Sequence, residues 1–183
     1  MTRIVGLPGS LRRASFNHGL LRAAADLLPA GTTLDIRTLE GIPLYNADDE
    51  AASGLPPAVV ALKEAIAGAD GVLIATPEYN NGIPGVFKNA IDWASRPNGD
   101  IAKVFGNRPF ALIGASPGGF GTVLAQDAWL SVLRTLGTAL WSGGRLPVSR
   151  AGDHFNADGD LVDEAVRQRL KDYLQGFVAF IGK

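Results

Sequence analysis

The sequence predicts an α/β domain in which a parallel sheet of five strands is covered on both faces by helices. Three observations lead there. Strand-like and helix-like patterns alternate along the chain, the signature of a parallel sheet with crossover helices. Two of the strand segments, around Val72–Ala75 and Phe110–Ala115, are continuous apolar runs, as strands buried on both faces require. The chain has 183 residues, 46% hydrophobic and 19% charged, which suits one domain with its own core and falls short of two. Its 23 glycines, about 13% against an ordinary ~7%, belong in the turns of an ordered fold.

The elements follow in order. Strands are expected at Arg3–Leu7, Thr33–Leu39, Gly71–Ala75 and Pro109–Ala115, with a weaker one within Thr138–Val148. The first helix places Phe16, Leu20, Ala24 and Leu27 on one face, with Arg22 and Asp26 opposite. The second runs from Pro57 to Ala67, with proline in its first turn and Gly68 near its end. The third spans Gly85–Ser95 and stops before Pro97. The fourth covers Thr122–Leu136. The last repeats Val162, Val166, Leu170, Tyr173, Phe177 and Ile181 as one apolar stripe. Tyr45–Gly54 reads as a long loop inside a single domain spanning 1–183.

Composition excludes several functions. Lys plus Arg is 17 and Asp plus Glu is 18, so the net charge of −1 offers no basic field for nucleic acid. With no cysteine, disulfides, thiolate metal sites and Cys nucleophiles are excluded. Two histidines, His18 and His154, argue against a zinc centre. The apolar run Ile4–Leu7 is too short for a signal peptide, and no stretch approaches ~18 apolar residues. A cytoplasmic protein without membrane contact is expected.

In open α/β sheets ligands bind beyond the carboxyl ends of the strands, so the loops after strands one, three and four matter most. The first, Gly9-Ser10-Leu11-Arg12-Arg13-Ala14-Ser15-Phe16-Asn17, opens directly into a helix. Hydroxyls, arginines and the free N–H groups of a helix start suit a phosphate dianion. The same residues would also serve as an ordinary N-cap with two solvated arginines. The second loop, Thr76-Pro77-Glu78-Tyr79-Asn80-Asn81-Gly82-Ile83-Pro84-Gly85, has two prolines and two glycines in ten residues. Its constrained backbone can present N–H and C=O groups to a planar heteroaromatic, or simply connect a strand to a helix. In the third, Gly114-Ala115-Ser116-Pro117-Gly118 matches the hydrolase pattern GxSxG. That elbow needs an N–H on the residue after the serine, and Pro117 has none. The glycines of Ser116-Pro117-Gly118-Gly119-Phe120-Gly121 instead suit close approach to a flat ring. Asn156-Ala157-Asp158-Gly159-Asp160 fails as a calcium loop, because His154 and Ala165 fall where its first and last ligands belong.

Together, Ser10-Leu11-Arg12 with Ser15 and Asn17, then Thr76-Pro77-Glu78-Tyr79-Asn80, then Lys88-Asn89-Ala90-Ile91-Asp92-Trp93, resemble the NADPH-dependent FMN reductase family. Its members include quinone, chromate and azo-dye reductases. The resemblance spans the chain from Ile4 to the last helix. It implies a flavodoxin-like three-layer sandwich with strand order 2-1-3-4-5, non-covalent FMN, and NADPH or NADH as co-substrate. By that resemblance Ser10, Arg12, Ser15 and Asn17 would hold the FMN phosphate, with Phe16 in the same cofactor-binding stretch. Pro77, Glu78, Tyr79 and Asn80 would line the isoalloxazine and ribityl, and Ser116, Gly118 and Gly119 another edge of the ring. Hydride would pass from NAD(P)H to the flavin and on to a small-molecule acceptor, such as a quinone, by ping-pong transfer. No catalytic side chain is implied. The competing reading, a flavodoxin-type electron carrier without NAD(P)H activity, would favour a more acidic surface than this one.

Assembly is the last expectation. Val123, Leu124, Ala128, Trp129, Leu130, Val132, Leu133 and Leu136 cover more of the fourth helix than one sheet-facing stripe requires. A homodimer, or a pair of dimers, joined through this helix and Gly85–Ser95 is expected.

Overall fold

The computed structural model describes residues 1–183. Five of its strands match the predicted positions in part or whole: β1 (Thr2–Pro8), β2 (Thr32–Ile36), β3 (Gly71–Ala75), β4 (Pro109–Ala115) and β5 (Ala139–Leu140). A sixth, β6 (Leu146–Val148), also pairs with β4. All pairings are parallel, and the order is β2-β1-β3-β4-β5. The helices are α1 (Phe16–Leu27), α2 (Ala47–Ser53), α3 (Pro57–Ala67), α4 (Gly85–Ala94), α5 (Ile101–Val104), α6 (Val123–Thr135) and α7 (Glu164–Ile181).

Side chains alternate across the sheet and so feed two cores. Ile4, Leu73 and Ile113 face α1 and α7, where Leu20, Leu170 and Phe177 are fully buried. Val5, Val72, Ile74 and Phe110 face the other way, against Leu62, Phe87 and Trp129 of α3, α4 and α6. Each such side chain removed from water contributes about 1.5–3 kcal/mol. Buried on both sides, the central strands can carry no polar alternation, which explains their unbroken apolar runs.

Four expectations need correction. The weak fifth strand is two strands separated by the loop 141–145. Trp141 packs edge-on against Tyr173 at 4.6 Å, and a Cβ on Gly143 would lie 2.6 Å from its indole nitrogen. The chain therefore leaves the sheet to make room for the indole. The Tyr173 hydroxyl closes the resulting gap, donating to the Leu112 carbonyl at 2.8 Å. The Tyr45–Gly54 loop contains α2, capped by Asn46, which accepts from the Asp48 N–H at 3.0 Å. The last helix begins after Asp163, which accepts from the Val166 N–H at 2.9 Å, so Val162 lies outside the stripe and is exposed. Finally, Trp129 belongs to no outer face. It is fully buried, edge-on to Phe87 at 4.9 Å, and its indole donates to Thr76 Oγ1 at 3.2 Å.

Candidate FMN site

Strands β1, β3 and β4 end side by side, so their following loops meet at one edge of the sheet. Between them lies a cleft of about 470 Å³, within the ordinary range for small-molecule sites. Ser10, Arg12, Ser15, Phe16 and Asn17 line it from the first loop, Pro77, Glu78 and Tyr79 from the second, and Ser116 from the third. Asn80, Gly118 and Gly119, also expected at the site, lie outside its lining. Ala115 and Pro117 also line it, and neither is among the cofactor-binding residues the sequence predicts. Ala115 is the last residue of a central strand, and that position was the available signal.

At the first loop the helix start is set by Ser15, which is buried and accepts from the His18 N–H at 3.4 Å. That bond leaves the Ser15 hydroxyl hydrogen free to donate. The N–H groups of Phe16 and Asn17, in the first turn of α1, have no backbone acceptor. The Arg12 guanidinium lies 4.9 Å over the Phe16 ring and takes part in no ion pair, so its charge is not neutralised within the chain. The Asn17 side chain is buried and bonded to Ala115: its Nδ2 donates to the carbonyl at 2.8 Å, and its Oδ1 accepts from the N–H at 2.9 Å.

The second loop is stiff for identifiable reasons. Pro77 turns the chain away from β3. Tyr79 and Gly82 then exchange two backbone hydrogen bonds, at 3.2 and 3.1 Å, around Asn80 and Asn81 with φ of 50° and 61°. Two adjacent left-handed residues make a type I′ turn, and asparagine tolerates that backbone better than most. The Glu78 carboxylate has a partner outside the loop. It accepts from the Ala125 N–H at 2.9 Å and caps α6, whose own N-cap Thr122 makes no such bond. Glycine is required where this layer meets β4: a Cβ on Gly114 would lie 2.2 Å from both the Thr76 carbonyl and the Thr122 hydroxyl.

The third loop folds back on itself. Ser116 Oγ donates to the Gly121 carbonyl at 2.5 Å, and the Arg150 N–H donates to the Gly118 carbonyl at 3.0 Å. With its hydrogen committed and Pro117 following, Ser116 is not a hydrolase nucleophile. On α4, Asn89 and Trp93 both donate to the Pro43 carbonyl, at 2.8 and 2.9 Å, and Asn89 accepts from the Tyr45 N–H at 2.8 Å. The Lys88–Trp93 motif thus fastens the loop after β2 to α4. Beyond it, Arg96 at 2.9 Å holds the Glu50 carboxyl below its usual range.

A phosphate at the first loop would meet a free hydroxyl, two free N–H groups and an unneutralised arginine, against the stiff wall of the second loop. The residues fit an FMN-sized ligand. The sequence profile of the NADPH-dependent FMN reductase family matches residues 2–153. The chain belongs to that family. As an FMN reductase it is an oxidoreductase that works with FMN and NAD(P)H, and the electron-carrier reading falls away. It is 40% identical over 179 residues to the NAD(P)H-dependent FMN reductase PA1204 of Pseudomonas aeruginosa, covering 98% of this chain and 95% of that protein. Identity is also 40% to the 2-hydroxy-1,4-benzoquinone reductase of a Burkholderia species, covering 98% and 96%. The solved structure of FerB, a flavoenzyme NAD(P)H:(acceptor) oxidoreductase from Paracoccus denitrificans, superposes with a TM-score of 0.87 at 35% identity, covering 100% of this reductase and 98% of FerB.

Proposed function

We propose that the protein reduces quinones or comparable acceptors, such as azo compounds, chromate or free flavin, at the cleft between the β1, β3 and β4 loops. The observation that carries this reading is the joining of a phosphate-type cradle to a stiff backbone wall in one open cleft. Bound there, FMN would supply the two-electron hydride chemistry that links NAD(P)H to the acceptor. The chain's residues do the rest. Ser10, Arg12, Ser15 and the N–H groups at the start of α1 hold the phosphate. Pro77, Glu78 and Tyr79, which line the cleft, would support one edge of the ring through the backbone, and Ser116 another. No side chain is assigned a proton transfer.

One open cleft would serve donor and acceptor in turn, so the kinetics should be ping-pong. Double-reciprocal plots of NADPH oxidation at several concentrations of a benzoquinone are expected to be parallel. Intersecting lines, the mark of a ternary complex, would sink the reading. The shared acceptor chemistry of the quinone-reducing relatives supports the choice of probe. We further propose a cytoplasmic homodimer, or a pair of dimers, joined through the outer faces of α4 and α6. There Val86, Leu124 and Leu130 remain 39%, 45% and 40% exposed. No helix is long and apolar enough to cross a membrane.

A further inference from the structure

We propose that Asn17 is a positioning residue that couples the phosphate loop to the ring-side loop, its side chain serving Ala115 rather than the phosphate. This rests on reading the cleft as the FMN site. The reason lies in the sheet. The ladder between β3 and β4 runs from Val72↔Phe110 to Ala75↔Ile113 and ends with the Thr76 N–H donating to the Ile113 carbonyl at 2.9 Å. Pro77 then takes the chain out of the sheet. Two residues beyond Ile113, the Ala115 peptide faces the same neighbour, and there the neighbour has gone. Ala115 is 1% exposed, so water cannot take the place of the missing strand.

The Asn17 carboxamide fills that place. It is chemically a peptide group, with one face that donates and one that accepts, and it pairs with both the carbonyl and the N–H of a single residue. Reversed, the amide would set donor against donor, so its orientation is fixed by the strand. The bonds join residues 98 apart in sequence. On one side, Asn17 lies in the first turn of α1, beside the N–H groups of the cradle. On the other, Ala115 is followed directly by Ser116 and Pro117 of the cleft wall. Removing the carboxamide frees two walls of the cleft from each other, so it should cost affinity for the ring as well as for the phosphate.

FMN and riboflavin separate this from a phosphate ligand, because riboflavin lacks the phosphate. The apoprotein, its Asn17→Ala and Asn17→Ser variants, and Arg12→Ala as a comparison are titrated with each flavin by fluorescence quenching. Asn17→Ala is expected to weaken both flavins about tenfold, with the two losses within about threefold of each other. The visible absorption band of the bound flavin should also shift. Asn17→Ser, which can keep one of the two bonds, should show a smaller loss with the same balance, and it decides the matter if the alanine variant does not fold. A loss confined to FMN would make Asn17 a phosphate ligand and overturn the proposal. A fall in thermal stability with both affinities and the band unchanged would also overturn it, leaving a purely structural residue. Arg12→Ala should weaken FMN alone. If it does not, the cradle reading fails, a result distinguishable from failure at Asn17.

Discussion

Arg12 shows how a residue's surroundings decide its use. A guanidinium stacked on an aromatic face keeps its forked donors for an anion, provided no carboxylate is nearer. Arg12 meets both conditions, over Phe16 and outside every ion pair. Its truncation to alanine should cost about 1.5–3 kcal/mol of FMN affinity, the scale of a charge-assisted hydrogen bond. Riboflavin titrated in parallel provides the check, and equal losses for the two would remove Arg12 from the phosphate. At this scale the sequence was legible wherever the chemistry was local. Ser15 could be read as an N-cap because its partner His18 is three residues on. Asn17 could be read as polar and near a helix start, but its partner is across the sheet at Ala115, and nothing local points there. Glu78 was hidden in the same way, since the helix it caps begins 45 residues later.

At the scale of elements, legibility followed burial. The helices Pro57–Ala67 and Gly85–Ala94 and the central strands declare themselves because the core imposes a period on their apolar residues. The α2 helix buries nothing and so has no period to read. Its signal was instead a cap, Asn46 followed by Asp48, Asp49 and Glu50 in the first turn, where acids favour the helix dipole. Gly143 and Gly144 were the sign that the last strand is broken. The joints between elements give a pH dependence. Glu50 beside Arg96, Asp100 beside Lys63, and Asp163 at the start of α7 all have their carboxyl pKa lowered from ordinary values of 4.5, 3.8 and 3.8. The main causes are the Arg96 hydrogen bond, the Lys63 hydrogen bond and the Val166 N–H, respectively. A depressed folded-state pKa means that the unfolded chain takes up its proton first as pH falls. The stabilisation is therefore complete above the ordinary values and lost on descending through the folded ones. Urea midpoints should hold steady near neutrality and drop below about pH 4. A midpoint unchanged between pH 6 and pH 3 would contradict this assignment.

For the whole molecule, the open question is what meets the outer side of α4 and α6. Trp129, Leu133 and Leu136 are spent on the core, so the surplus is narrower than the helix composition implies. Leu124 and Leu130 on α6 and Val86 on α4 still leave apolar groups on that side. Light scattering at micromolar concentration is expected to give a mass of at least twice the 19.1 kDa chain. A monomeric mass with FMN bound would refute the dimer.

The broken strand beside β4 has a consequence for solubility. An open sheet ends in a row of unpaired peptide groups, and an uninterrupted row is a template on which another chain can add a strand. Here that border is two residues of β5, a detour around Trp141, and three residues of β6, with the Tyr173 hydroxyl capping the carbonyl left between them. No straight run on this side is long enough for a stranger's backbone to keep step with it. The indole that spoils the regularity of the fold thereby guards it against edge-to-edge aggregation.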